Sequence, residues 1–154
     1  MQDEDETRRV VLGWREWVSL PELGIDAIRA KVDTGARSSA LHVDSMELFD
    51  RDGSDWVRFS IHPGDECPEV TAQAPVIDRR RVTDSGGHAT VRVFIATTLA
   101  LAGRRHRIEI NLTNRRNMLF PMLLGRTALE GAFIVDASQS FTSHQPGPPD
   151  GALK

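Results

Sequence analysis

Short stretches in which apolar and polar side chains alternate, or in which β-branched residues gather, recur along the chain at 10–13, 25–32, 40–48, 56–61, 70–77, 89–97 and 107–112. A two-residue period puts one row of side chains on each face of extended backbone, so each stretch predicts a strand. Turn-forming clusters stand between them: Asp50-Arg51-Asp52-Gly53-Ser54-Asp55, Pro63-Gly64-Asp65 and Asp84-Ser85-Gly86-Gly87. Each pair of flanking strands therefore reads as a hairpin. Leu101-Ala102-Gly103-Arg104 predicts another tight turn, because the stretches on either side are both strand-like and nearly adjacent. One segment alone invites a helix. In Thr127-Ala128-Leu129-Glu130 the threonine suits an N-cap, the glutamate three residues on suits the reciprocal partner, and Gly131 suits the end. The expectation is an all-β fold with one short helix.

The chain has 154 residues, enough for one core of ordinary size and too few for two. One domain is expected over 9–142, after a flexible amino terminus at 1–8. The tail at 143–154 is expected to be disordered, since Pro146, Gly147, Pro148, Pro149 and Gly151 leave little to pack. Hydrophobic residues make up 40% and charged residues 27%, which excludes disordered, collagen-like and coiled-coil chains. The apolar stretch at 94–102 contains two threonines and falls well short of the roughly 20 residues of a membrane helix, so no span is expected. The amino terminus is acidic where a secretory signal needs basic residues, and the single cysteine, Cys67, cannot form an internal disulfide. Both features point to a cytoplasmic protein.

Charge is segregated along the chain. Residues 1–78 carry 8 basic and 17 acidic side chains, whereas 79–126 carry 10 basic and 2 acidic. All ten are arginines, grouped at Arg79-Arg80-Arg81, Arg104-Arg105-Arg107 and Arg115-Arg116, with Arg92 and Arg126 besides. Their planar forks suit carboxylate or phosphate. A solvated face that pairs with the acidic first half is the competing reading.

The segment richest in chemistry runs from Ile28 through Lys31-Val32-Asp33-Thr34-Gly35-Ala36-Arg37 to His42. An alternating strand delivers Asp33 to its end, and three small residues then let the backbone turn sharply beside a cleft. The same pattern fits an aspartate that merely accepts backbone N–H groups in an Asx-turn. A second segment, Phe120-Pro121-Met122-Leu123-Leu124-Gly125-Arg126-Thr127-Ala128-Leu129, combines an apolar run, a glycine and a helix start. Together the two resemble the hallmarks of retropepsin-like aspartic peptidases. More narrowly, the chain resembles the bacterial family named ATP-dependent zinc proteases, also described as retropepsin-like peptidases associated with ATP-grasp glutamate ligases. The matching pieces are Gly13-Trp14-Arg15-Glu16 with Leu20-Pro21, residues 30–37 through Leu41-His42, Arg80-Arg81-Val82 with Ser85-Gly86, and Asn114-Arg115 through Arg126. They extend over residues 12–138.

The resemblance implies a closed retropepsin-like β-barrel with the short helix after Leu-Leu-Gly-Arg, and an aspartic peptidase activity. Such hydrolysis needs two carboxylates beside one water, one as base and one protonated to hold the substrate carbonyl. Because the chain has a single Asp-Thr-Gly, the pair requires two copies of Asp33 across a twofold axis, hence a homodimer, unless another aspartate substitutes. Thr34 is implied to brace the loops near the axis, and Gly35 to permit close approach. The hairpin at 82–88, with two glycines at its tip, is the candidate flap over the substrate, with an ordinary mobile hairpin as the alternative. Arg37, Arg81, Ser85, Gly86, Arg115 and Arg126 are the candidate substrate-binding residues. Arg37 and Lys31 around Asp33, with the arginine-rich middle, favour an acidic peptide, and the link to an ATP-grasp ligase suggests removal of added glutamates. Arg37 paired with an acidic neighbour, and only stabilising the fold, is the alternative.

Nothing in the residues supports the other words of that family name. No Gly-x-x-x-x-Gly-Lys loop is present for ATP, nor His-Glu-x-x-His for zinc. The nearest ligand-like group, His62, Asp65, Glu66 and Cys67, falls on a turn and reads as exposed loop. No cofactor and no metal is expected. Two rivals to a peptidase stay open: a non-catalytic dimeric module that grips acidic protein segments with its arginines, and a nucleic-acid binder. Only Phe94 and Phe120 interleave with the arginines, which argues against stacking on single strands.

Overall fold

The computed structural model describes residues 8–64, 66–83, 86–114 and 119–143. Twelve strands and one short helix follow in chain order among them: β1 (Val10–Leu12), β2 (Arg15–Leu20), β3 (Ile25–Val32), β4 (Ser39–His42), β5 (Ser45–Arg51), β6 (Ser54–Ile61), β7 (Val70–Pro75), β8 (Asp78–Thr83), β9 (Ala89–Leu101), β10 (Arg104–Thr113), β11 (Met122–Leu124), α1 (Arg126–Leu129) and β12 (Phe133–Val135). A 3-10 turn at Pro21–Leu23 joins β2 to β3. The main sheet runs β10-β4-β11-β3-β2-β9-β8, and a second pairing of β10 with β9 closes six of these strands into a ring. The all-β barrel expected from the sequence is what forms. No helix among the described residues is long and apolar enough to cross a membrane.

Side-chain alternation sorts each strand between core and solvent. Leu12, Val18, Leu20, Ile28, Leu41, Ile95, Leu99, Ile110, Leu112, Met122 and Leu124 fill the ring, and Val57, Phe59 and Ile61 of β6 extend the same cluster. On β3 the buried positions are Ile25, Ile28, Ala30 and Val32, a spacing that skips one residue. The register shift between Val18 and Leu20 of β2 accounts for it: an extra residue on β3 keeps both isoleucines facing inward.

Several elements differ from the reading of the sequence. The stretch at 40–48 is two strands. The Val43 N–H donates to the Thr113 carbonyl in the barrel, the Asp44 N–H to Ser60 in the separate β5-β6-β7 sheet, and the chain changes sheets between them. β2 carries no clear alternation in the sequence, because its inward row reads Glu16, Val18, Leu20 while Trp17 faces outward. β8, read only as an arginine run, is an exposed strand that pairs with β9. β8, and not the 70–77 stretch, is therefore the strand that pairs with β9 before Ala89. The expected turns at Asp52-Gly53 and Ala102-Gly103 do form, with all four residues in the left-handed region. Thr127 does not cap α1. Gly125 holds that position, and the Thr127 hydroxyl donates instead to the Arg37 carbonyl. Trp14, Trp17 and Phe120 are half-buried: Trp14 meets Phe120 edge-on at 5.8 Å.

Candidate active site

β11 lies between β3 and β4, parallel to the first and antiparallel to the second. Its insertion holds Asp33, because the Asp33 N–H donates to the Leu124 carbonyl at 2.9 Å where β3 ends. The chain then turns: Asp33 Oδ1 accepts the Gly35 N–H at 2.9 Å, and the Ala36 N–H donates to the Asp33 carbonyl. One carboxylate oxygen is thus used locally, as an Asx-turn requires. Asp33 is half-buried and lines a cavity of about 540 Å³ with Gly35, Ala36, Arg37, Val82 and Arg92.

The loop at 33–38 is pinned from below. The Gly125 N–H donates to Ser39 Oγ at 3.0 Å in a buried contact. The Arg126 N–H bonds the Ala36 carbonyl, and both the N–H and the hydroxyl of Thr127 bond the Arg37 carbonyl. Arg126 Nη1 donates to the carbonyls of Thr34 and Gly35 at 3.3 and 3.4 Å. The Leu-Leu-Gly-Arg segment and the Asp-Thr-Gly segment, 92 positions apart, are one hydrogen-bonded unit.

The remaining candidates separate into groups. Arg37 and Arg81 share a second cavity of about 560 Å³ with Arg80, Phe94, Arg107 and Glu109. Val82, Ser38 and Arg37 line both cavities, so β8 borders the Asp33 cavity on its Val82 side. Two arginines of the second cavity are neutralised: Arg80 contacts Asp78 and Glu109 at 2.6 and 2.9 Å, and Arg107 contacts Glu22 at 2.9 Å. The hydrogen bond from Arg80 holds the Asp78 carboxyl below its ordinary range. Arg126 faces the loop carbonyls. Thr34 and Gly86 are exposed. Ser85 and Arg115 lie outside the described residues.

The ligand-like group also rearranges. His62 Nδ1 meets Asp44 Oδ2 at 2.6 Å, and Glu69 completes an exposed trio whose ligand atoms lie within 4.8 Å of one another. Glu66 and Cys67 instead line an apolar groove with Trp17, Ile25 and Val70. Asp65 lies outside the described residues. Two members of the Asp33 cavity, Arg92 and Asn111, were not picked out as site residues. Arg92 was visible only as one more charge, and Asn111 had no signal at all within its strand.

Away from the cavity lining, a fully buried acid, Glu16, organises the start of β2. Burial pushes the Glu16 carboxyl up, but hydrogen bonds from Thr142, Gly13 and Ser143 outweigh that and hold it below its ordinary value. Their five bonds run between 2.6 and 3.1 Å and tie residues 142–143 to β2.

The chain is similar to known proteins. The family model described as RimB-like, retropepsin-like aspartic endopeptidase RimB, matches residues 11–146. A protein of Shewanella pealeana named probable alpha-L-glutamate ligase is 38% identical over 141 residues, 90% of this chain and 31% of that protein. A Desulfotalea psychrophila protein of the same name is 44% identical over 128 residues, 82% of this chain and 28% of its own. The chain thus spans under a third of the curated relatives it matches. A solved Legionella pneumophila protein of unknown function superposes with a TM-score of 0.75 at 25% identity, over 89% of this chain and all of that one.

Proposed function

This chain belongs to the RimB-like family of retropepsin-like aspartic endopeptidases, and from that membership we propose that it is a homodimeric aspartic endopeptidase acting on glutamate-rich or glutamylated protein. The observation that carries the reading is Asp33 at the open end of β3, lining a cavity that the β8–β9 hairpin borders. Two Asp33 carboxylates brought together at a twofold axis share one proton, because like charges about 3 Å apart do not both ionise. The ionised member takes a proton from water, whose oxygen attacks the peptide carbonyl. The protonated member hydrogen-bonds the developing oxyanion, and proton return to the nitrogen releases the amine. Gly35 N–H steadies one oxygen of each carboxylate, leaving the other for the water. Thr34 braces the loops near the axis.

Arg37 and Arg81 supply positive charge at the cavities, with Ser85, Gly86, Arg115 and Arg126 completing the candidate substrate set. That charge favours acidic peptides. The longer relatives, named as probable alpha-L-glutamate ligases, support a functional link to an ATP-grasp glutamate ligase, in which this protein, acting in the cytoplasm, removes what the ligase adds. No step of this mechanism is routed through zinc or ATP. The second reading, a dimeric module that holds acidic segments without cutting them, draws on the Gly35 bond, which by itself makes Asp33 a satisfied turn residue.

The test incubates wild type and Asp33→Asn with an oligoglutamylated protein from acidic to neutral pH, with and without a chelator. Loss of turnover in the variant and indifference to chelator are expected. Equal turnover in the two proteins overturns the peptidase reading in favour of binding, and chelator-sensitive turnover overturns the two-carboxylate mechanism.

A further inference from the structure

One wall of the Asp33 cavity has a polar core that the two-carboxylate chemistry does not explain. Asn111, on β10, is 2% exposed, and both ends of its amide are engaged. Nδ2 donates to the Ser39 carbonyl at 2.8 Å, and Oδ1 accepts from Arg92 Nη1 at 3.2 Å. The neighbours dictate this orientation, since a guanidinium only donates and a carbonyl only accepts. Ser39 opens β4 directly after the Asp33 loop, and its hydroxyl holds the Gly125 N–H from the other side. Arg92 belongs to β9, opposite Arg80 of β8, with its Nε on Thr90 Oγ1 at 3.2 Å. One buried amide therefore touches the hairpin bordering the cavity at one end and the base of the Asp33 loop at the other. Both Arg92 and Asn111 line the cavity with Asp33.

We propose that Asn111 is a positioning residue for the hydrolysis: it sets Arg92 in the cavity wall and couples that wall to the Asp33 loop through Ser39. The inference rests on the peptidase reading of Asp33. Its physical basis is that a buried polar bridge with every partner satisfied allows one arrangement of its neighbours, whereas an apolar substitute leaves the Ser39 carbonyl and the Arg92 guanidinium to find others. Displacement of a reacting group by about 1 Å is enough to slow an enzyme about a hundredfold.

Three full-chain variants test it: Asn111→Leu, Asn111→Asp and the control Asp33→Asn. Cleavage of a glutamate-rich peptide is followed against pH, and amide hydrogen exchange is measured on the same proteins. In Asn111→Leu, kcat falls at least about tenfold, as a displaced reacting group requires. Exchange rises together at Gly125 and along β9 near Arg92. Asn111→Asp supplies the finer readout. Ionised, its carboxylate accepts from Arg92 but turns an acceptor toward the Ser39 carbonyl; protonated, it donates to one and accepts from the other as the amide does. The kcat of Asn111→Asp relative to wild type therefore rises as pH falls. Wild-type kcat in Asn111→Leu, exchange that rises at only one of the two segments, or a relative kcat of Asn111→Asp that stays flat with pH each overturn the inference. Loss of cleavage in Asp33→Asn with wild-type behaviour of both Asn111 variants sinks this inference alone. Wild-type cleavage by Asp33→Asn removes the peptidase reading and the role of Asn111 with it.

Discussion

Gly125 crosses beneath Ser38 so closely that a Cβ on it would stand 2.5 Å from the Ser38 carbonyl carbon and oxygen, and 2.9 Å from the Arg37 carbonyl carbon. Those contacts are with backbone, which cannot swing aside as a side chain does. Gly125→Ala is therefore expected to destabilise the fold by about 1–3 kcal/mol, the usual cost of overpacking, and to displace the Asp33 loop. Urea unfolding at neutral pH measures the loss; an unchanged midpoint would contradict the close crossing.

Glu16 gives the fold an acid limit. Its folded carboxyl titrates below the ordinary 4.5, so its contribution is complete above that value and fades as pH falls through the lower folded one. Glu16→Gln keeps an acceptor but removes the charge that draws the donors of residues 142 and 143. The variant is expected to be less stable than wild type at pH 7 by about 1.5–3 kcal/mol, the range for hydrogen bonds to a charged group. The gap narrows as both proteins are taken to strong acid. Thermal melts over a pH series decide it, and a gap independent of pH would remove the charge from the explanation.

Asp136 acts in the same direction from the surface. The Ser138 hydroxyl, the Gln139 amide and the Ser138 N–H lower its carboxyl from 3.8 to about 2. The bonds shape the turn that presents the Gln139 carbonyl to the Trp14 N–H at 2.8 Å. Asp136→Asn should be less stable than wild type at neutral pH, with the difference disappearing between about pH 4 and pH 2. Carboxyl titration followed by NMR checks the lowered value directly.

Arg37 and Arg81 line one cavity, and among the described residues neither is held there by a carboxylate in the manner of Arg80 and Arg107. Replacing both by alanine is expected to raise KM for a glutamate-rich peptide about tenfold, equivalent to about 1.4 kcal/mol, with kcat nearly unchanged. Added salt should raise the wild-type KM toward that of the variant. Equal KM values at low salt would take substrate recognition away from these two guanidiniums.

The strands that could be read from the chain are those whose inward row is apolar. β3 was recognisable from end to end because Ile25, Ile28, Ala30 and Val32 all turn inward. β2 has a buried carboxylate in that row, and nothing local reveals that five donors from two other segments will satisfy it. β12 is three residues long and pairs with β1, more than a hundred positions earlier, so its strand character comes from the partner and not from its own side chains. In the candidate site, Asp33 and Leu-Leu-Gly-Arg stood out because small residues beside an acid mark a tight backbone approach. Asn111 did not, since a buried amide in a strand differs from an exposed one only in what folds against it.

The order of residues alone determined the all-β character, most of the hairpin turns, the segregation of arginines, and the pair of segments that resembles an aspartic peptidase. Each of these depends on neighbours within a few positions, where alternation, turn propensity and charge are already set. The tertiary structure alone decided that β11 inserts between β3 and β4, that β8 lines the Asp33 cavity, which arginines meet carboxylates and which line a cavity, and that Asn111 joins the two walls. Those outcomes depend on groups far apart in the chain, brought together by closure of the ring around a common apolar core.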